Sequence, residues 1–329
     1  MYFNKELIIE DTIKIIGNNN SDEPFLHVAY GIDKKFIFGS AISATSILIN
    51  NNIPLFFHFF TDYIDEDTIH RFKSMAEKFH TNVHIYKVNT SILKELPQER
   101  WPCSAYFRIV AFDYLSDKID KLLYLDADIM CKGDLSALTD IDFSHAICAI
   151  VPDIQSTQEQ AAIRLRKPEL AEYYFNSGVM FTQLKNWNEY QLTQKTLSFI
   201  LDNLTLRYPD QDALNVLLYE KTIILPRKFN SIYSIKSELK DKSHQAYKEI
   251  ITPETILIHY VGTTKPWNEW GQYPSTVFFK KAYHVSTWCD VPLTKAVTPL
   301  QWKKKSKHEI RQGKYIKGIL SRLKYKLNK

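Results

Sequence analysis

The chain is poor in the features that most often announce a binding site. Only nine of its 329 residues are glycine. No GxGxxG or P-loop occurs, so the usual glycine-rich phosphate cradles are absent and a bound nucleotide would need its phosphates neutralised by other means. The four cysteines, Cys103, Cys131, Cys148 and Cys289, are scattered without a CxxC pair. That spacing excludes a thiolate metal knuckle and a disulfide-stapled scaffold, and points to reduced thiols in a reducing compartment. No apolar run reaches the roughly 18 residues of a membrane-spanning helix; the strongest, Ile53 to Phe60, is broken by His58. The opening residues, MYFNKELIIEDTIKIIG, carry acids among apolar positions and lack a signal peptide's basic-then-apolar order. A cytoplasmic protein, soluble or peripheral on a membrane, is the expectation.

What is present reads as an ordinary folded protein. Hydrophobic residues make up 45% and charged residues 24%, which excludes a disordered chain. The length suits two domains of roughly 150 residues or one large α/β domain. The net charge of +5 hides an asymmetry. Residues 302–329 hold eleven Lys or Arg against one acid, Glu309, for a net +10, which leaves −5 for residues 1–301. Within this tail Ile316, Ile319, Leu320, Leu323 and Leu327 recur at helical spacing between basic residues. A basic amphipathic helix of this kind suits an anionic membrane surface, each Lys or Arg adding about 1 kcal/mol of attraction. Packing of the stripe on the body and binding to nucleic acid are the competing readings. The acidic body argues against nucleic acid, which would need positive charge beyond one tail.

Along the chain, residues 1–24 read as an extension ending in the turn-rich NNNSDEP. Strands are expected at FLHVAYG, IPLFFHFFT, NVHIYKV, KLLYLDAD, HAICAIVPD, SGVMFTQ, TIILP and TILIHYVG, and helices over Phe38–Asn50, Asp65–His80 and Tyr106–Leu115. Strand alternating with helix is the pattern of a mostly parallel sheet.

Asp-x-Asp occurs four times, where chance from 20 aspartates predicts about one, and context separates the pairs. Asp65/Asp67 opens a surface helix and Asp140/Asp142 lies in a polar loop. Asp126/Asp128 instead follows the unbroken run Leu122-Leu123-Tyr124-Leu125, the pattern of a strand buried on both faces. The pair therefore emerges at a strand's carboxyl end, where open α/β sheets bind ligands. Residues i and i+2 point the same way, so both can approach one cation; capping of a following turn is the simpler reading. His259 ends a similar run, Ile256-Leu257-Ile258, as a ligand or as a core or turn residue. After it come Gly262, which allows close backbone approach, Lys265, a point charge for phosphate, and Trp267, a flat apolar face. Arg100, Trp101, Tyr106 and Arg108 precede a helix, as a segment able to close over a ligand or as a packed helix start. Trp267 and Trp270 are candidates to stack on sugars.

Taken in order, LYLDAD, FNSGV, PDQDALN and HYVGTTKPW resemble the four motifs of the retaining glycosyltransferases of family 8. The flanking HVAYGIDKKFIFG and YPSTVFFKKAYHVSTWCDVPL, with the basic tail, are similar to the bacterial lipopolysaccharide core glucosyl- and galactosyltransferases. The likeness spans about residues 25–325. It implies a GT-A fold, a Rossmann-like mostly parallel sheet flanked by helices, with a basic helical C-terminal extension. The implied divisions are an N-terminal extension (1–24), a catalytic domain (25–275) and a C-terminal region associated with membrane or acceptor (276–329). It implies a UDP-hexose donor with Mn²⁺ or Mg²⁺, a core-oligosaccharide acceptor, and a place on the cytoplasmic face of the inner membrane. The implied metal ligands are Asp126, Asp128 and His259. Uridine would lie near Ala29, Tyr30 and Asp33, with Asp33 holding the uracil edge, and the diphosphate at Gly262 and Lys265. Arg108, Asp153, Asn176 and Asp210 would surround the sugar, with Gln211 near its anomeric carbon. Lys35 and Thr263 depart from the family, where Asn and Pro are common.

A divalent ion bridging the phosphates would stabilise the departing diphosphate as a Lewis acid. Retention by double displacement needs a carboxylate nucleophile on the opposite face. Gln211 is a neutral amide, so same-face attack is expected, with Asp210 and Asp212 as reserve nucleophiles. Glucose is the expected sugar and galactose the alternative. An aspartate-nucleophile phosphatase would want its acidic pair near the first strand, and a non-catalytic carbohydrate- or lipid-binding module would bind donor without turning it over.

Overall fold

Alternating apolar runs and amphipathic stretches fold as a sheet covered by helices. The structure is a computed structural model and describes residues 4–17 and 25–328; the NNNSDEP stretch lies outside them. After a short helix α1 (Lys5–Ile8) come β1 (Ile9–Ile15), β2 (Leu26–Ile32), α2 (Ile37–Leu48), β3 (Leu55–Thr61), α3 (Glu66–Phe79) and β4 (Asn82–Val88). Next are α4 (Phe107–Leu115), β5 (Lys121–Leu125), β6 (Ile129–Cys131), β7 (Cys148–Pro152), α5 (Gln155–Leu165), α6 (Leu170–Tyr173) and β8 (Phe175–Gln183). Then α7 (Leu184–Glu189), α8 (Leu192–Asp202), α9 (Pro209–Leu217), β9 (Thr222–Ile224), β10 (Ser231–Tyr233) and β11 (Leu257–Tyr260) follow. The chain ends in α10 (Val277–Val285), α11 (Pro299–Arg311) and α12 (Tyr315–Leu327).

Eight strands form one sheet in the order β1-β4-β3-β2-β5-β8-β7-β9, and β10-β11-β6 form a second, smaller one. Four of the seven pairings in the large sheet are parallel. The stretch read as an N-terminal extension thus supplies an edge strand, with β1 antiparallel to β4. Asp65 caps α3, its carboxylate accepting the Thr68 amide at 2.9 Å, as expected for an acid opening a helix.

The tail reading divides. α12 packs on α11 through small residues: Ser306 Oγ donates to the Gly318 carbonyl (2.8 Å) and Ser321 Oγ to Glu309 (2.6 Å). The apolar stripe points elsewhere. Ile316, Ile319, Leu320, Leu323 and Leu327 are all at least half exposed, so the stripe does not pack on the body. Among the described residues, no helix is long and apolar enough to cross a membrane.

One face of the sheet carries a histidine row, with His58 buried and His27 and His84 half-buried. His27 Nδ1 lies 3.0 Å from His58 Nε2, and the Tyr86 hydroxyl meets His58 Nδ1 at 3.0 Å and His84 Nδ1 at 3.1 Å. Burial first, and neighbouring histidines next, hold His58 well below its ordinary 6.5 and His27 at about 4. Burial, then the Lys14 charge, holds His84 at about 4. The unfolded chain therefore takes up protons that the folded chain refuses between pH 6.5 and about 4. Stability is fully present above that window and is lost as pH falls through it. The melting temperature at constant ionic strength should drop across this interval, and a flat profile would contradict the histidine row.

Candidate active site

The site is built where the strand order reverses. The chain runs outward from β2 to β3 and β4, then returns to place β5 on the other side of β2, which opens a crevice at the strands' carboxyl ends. Asp33 follows β2 there and Asp126 follows β5.

Two registers bring distant residues to this crevice. β8 lies antiparallel to β5 with Val179 opposite Leu125, and the Asp126 amide donates to the Gly178 carbonyl at 2.9 Å. β11 lies antiparallel to β6 with His259 opposite Ile129, and the Tyr260 amide donates to the Asp128 carbonyl at 3.0 Å. As a result, His259 Nε2 stands 3.1 Å from Asp128 Oδ1 and 3.9 Å from Asp126 Oδ2. One donor atom from each of the three residues lies within 4.8 Å of the others. An ion with bonds of about 2.1 Å needs neighbouring donors about 3.0 Å apart and opposite ones about 4.2 Å apart. The separations of 3.1 and 3.9 Å fall in that range, so the three residues could hold one divalent cation, and their oxygen and imidazole donors suit Mn²⁺ at least as well as Mg²⁺.

The imidazole is aimed from behind. His259 Nδ1 lies 3.2 Å from Asn230 Oδ1, which seats a proton on Nδ1 and turns Nε2 to the carboxylates. Asn230 donates to Asn176 Oδ1 (3.2 Å), which also accepts the Gly178 amide (3.1 Å). The tripeptide Phe-Asn-Ser occurs at 175–177 and again at 229–231, and both asparagines end in this chain of bonds. A Cβ on Gly178 would run into the His259 ring and stand 2.8 Å from Asp126 Oδ2. The missing side chain lets imidazole and carboxylate meet.

Burying acids requires countercharge. Arg108 is itself buried; its Nη2 reaches Asp126 at 3.0 Å, its Nε reaches Asp210 at 3.0 Å, and its Nη1 donates to the Ser177 carbonyl. Burial works against that charge, but Asp126 and Asp210 outweigh it and raise its pKa. Lys265 Nζ pairs with Asp128 and donates to the Tyr260 carbonyl at 3.0 Å. Burial alone would raise Asp128, yet Lys265 and His259 pull it well below the ordinary carboxylate range. Burial also opposes a charged His259, and Asp128 and Asp126 together lift its pKa above the ordinary value. Gly262, at φ +90°, holds the turn that presents Lys265.

Amides occupy the neighbouring wall. Gln211, in the first turn of α9, accepts the Ser177 amide (3.0 Å) and hydroxyl (3.2 Å) on Oε1 and donates from Nε2 to the Tyr174 hydroxyl (3.0 Å). Asn176 Nδ2 lies 3.4 Å from the same Oε1. Burial pushes the Asp153 and Asp210 carboxyls up, with Arg108 offsetting part of the effect at Asp210. Asp153, Asn176, Asp210 and Gln211 thus sit on the network that reaches Asp126.

Three expectations need correction. Asp212 is not a free nucleophile: fully buried, it takes both Arg164 amino groups (2.5 and 2.9 Å), the Tyr174 hydroxyl (2.6 Å) and the Tyr208 amide (3.1 Å). It positions Tyr174, and through it Gln211. The side chains of Ala29 and Tyr30 are fully buried, Tyr30 stacking on Phe59 and bonding Ser43, so only their backbone is left to meet a uridine, whereas Asp33 stands just past the end of β2. Trp267 and Trp270 are buried too and offer sugars no open face. Sequence reasoning missed Asn230, Ser177, Tyr174 and Arg164; the repeated Phe-Asn-Ser was the available signal for the first two.

Comparison with known proteins shows a family and a fold. The family model for glycosyl transferase family 8 matches residues 27–271, and that for the family's C-terminal region matches residues 273–329. A lipopolysaccharide 1,2-glucosyltransferase of Escherichia coli is 44% identical over 314 residues, 94% of this chain and 92% of its own length. A lipopolysaccharide 1,3-galactosyltransferase of Salmonella typhimurium is 35% identical, covering 97% of this chain and 95% of its own length. The solved galactosyltransferase LgtC, in complex with donor and acceptor sugar analogues, superposes with a TM-score of 0.67 at 20% identity, covering 85% of this chain and 100% of that one. The fold is the GT-A type.

If Gly178 is the gap that lets the ligands converge, Gly178→Ala should weaken Mn²⁺ binding at least tenfold in an equilibrium titration followed by electron paramagnetic resonance. Unchanged affinity would contradict that role.

Proposed function

The chain belongs to glycosyl transferase family 8 and is a glycosyltransferase, and from that premise we propose that it moves glucose from UDP-glucose to a sugar of the lipopolysaccharide core, with retention and dependence on a divalent metal. The convergence of Asp126, Asp128 and His259 carries this reading. Glucose is favoured over galactose because the 44% identical relative is named a glucosyltransferase and the galactosyltransferase relative is 35% identical. UDP-galactose is the alternative donor.

In this reading Asp126, Asp128 and His259 would hold Mn²⁺ or Mg²⁺, which would supply Lewis-acid charge to the diphosphate of the donor. Lys265 shares that task from beside Asp128, and Gly262 allows the backbone to approach the phosphates. Asp33 holds the uracil edge. Asp153 and Asn176 accept and donate to the sugar hydroxyls, and Arg108 acts by fixing Asp126 and Asp210. The anomeric carbon–phosphate oxygen bond breaks as the acceptor oxygen–carbon bond forms on the same face. The acceptor's proton passes to the departing phosphate oxygen. Gln211, clamped by Ser177 and Tyr174, lies beside the sugar as a dipole that stabilises developing charge. Asp210, on the Arg108 pair, remains the carboxylate for a covalent route.

The exposed stripe of α12, flanked by Lys317, Arg322, Lys324 and Lys326, supports docking on the anionic cytoplasmic face of the inner membrane, next to a membrane-anchored acceptor. Leu320→Glu with Leu323→Glu should reduce co-sedimentation with phosphatidylglycerol-containing vesicles at least tenfold; undiminished binding would sink the docking role.

Turnover provides the main test. Slow hydrolysis of UDP-glucose, compared with UDP-galactose and UDP-N-acetylglucosamine, should require Mn²⁺ or Mg²⁺, vanish on chelation, and fall by at least about a hundredfold in Asp128→Ala. Full activity in that variant would overturn the proposal.

A further inference from the structure

Of the six tryptophans, Trp187, Trp267, Trp270 and Trp288 are buried, Trp302 is half-buried on α11, and Trp101 is 38% exposed. Its indole Nε1 donates to the Arg207 carbonyl at 2.8 Å, and its ring centroid lies 5.5 Å from that of Tyr208, tilted by 46°. The bond ties the loop before α4 to the loop before α9. Tyr208 is the residue preceding α9, and its own amide is held by Asp212. Tyr208 therefore stands two residues before Asp210 and three before Gln211, and it brings Trp101 to that turn.

Two guanidinium groups border the Tyr208 ring, Arg164 at 5.7 Å and Arg207 at 5.4 Å from its centroid. They differ in employment. Arg164 is bound bidentately to Asp212. Arg207 is exposed, and its side chain has no ion pair or hydrogen bond among the described residues; the same holds for Arg100, next to Trp101. A loop clasp alone would need only the indole bond and the ring contact. It would not explain free guanidinium groups beside an open indole.

We propose that Trp101, Tyr208 and Arg207 form an acceptor subsite for a sugar bearing an anionic substituent. The sugar's C–H face would lie on the aromatic pair, and Arg207 would grip a phosphate or carboxylate through its planar fork. Arg100 adds a second positive charge at the rim. The subsite rests on the transferase reading, borders the proposed donor-sugar residues Asp210 and Gln211, and is distinct from the residues proposed for uridine and diphosphate, Asp33, Gly262 and Lys265.

The test measures donor and acceptor KM using core oligosaccharide released from lipopolysaccharide, untreated or treated with phosphatase. Trp101→Ala should raise acceptor KM at least tenfold with either preparation, while donor KM moves less than threefold. Arg207→Ala should do so only with untreated oligosaccharide if the anion is a phosphate, and with both if it is a carboxylate. Unchanged acceptor KM in both variants, or equal rises in donor and acceptor KM, would overturn the subsite. Free inorganic phosphate should compete only weakly; strong competition by phosphate alone would reassign Arg207 to a plain anion site. Absence of donor turnover in the wild type would instead count against the transferase reading, and calorimetric titration of the same oligosaccharides into the variants would still decide the subsite.

Discussion

The structure depends on holding two aspartates together at the end of an apolar strand. Asp126 and Asp128 emerge from Leu122–Leu125, a segment with no polar side chain facing water, and like charges so placed repel strongly in a low dielectric. Every nearby feature answers that repulsion. Arg108 takes Asp126, Lys265 takes Asp128, and His259 stands between both. The three partner groups come from α4, from the loop after β11 and from β11 itself. The charge arrangement is therefore complete only once both sheets have formed.

The same economy of charge explains the amide wall. Arg108 already serves Asp126 and Asp210, so another free carboxylate there would lack a partner. Gln211 and Asn176 supply polar contacts without adding negative charge. The one additional acid on that turn, Asp212, is withdrawn into a bidentate pair with Arg164 and acts through the Tyr174 hydroxyl. One end of the crevice is thus ionic and suited to a cation and phosphates, and the other is amide-rich and suited to hydroxyls.

How much of this could be read from the chain follows from what kind of interaction sets each feature. Buried strands such as β3 and β5 were legible because hydrophobic runs exclude other structures, and the Asp-x-Asp pair was legible because it ends such a run. β1 was missed: as an edge strand it tolerates Glu10 and Asp11 on its exposed side, which blurs the pattern. The burial of the Ala29 and Tyr30 side chains follows from a central strand covered on both faces, which buries residues of either facing alike. The role of Asp212 depends on Arg164, 48 residues away, and no local pattern reports such a pairing. Burial separates Trp101 from Trp267 and Trp270, although all three sit near motifs in the sequence.

The proposed reaction requires two carboxylates and a distant imidazole to share one ion that grips a diphosphate. Anomalous diffraction from crystals grown with Mn²⁺ and UDP tests it directly. A single manganese peak bonded to Asp126, Asp128 and His259, with a phosphate oxygen completing its sphere and Lys265 turned toward the diphosphate, is the expected result. A peak bonded to other residues, or UDP bound with His259 outside the metal's reach, would contradict it.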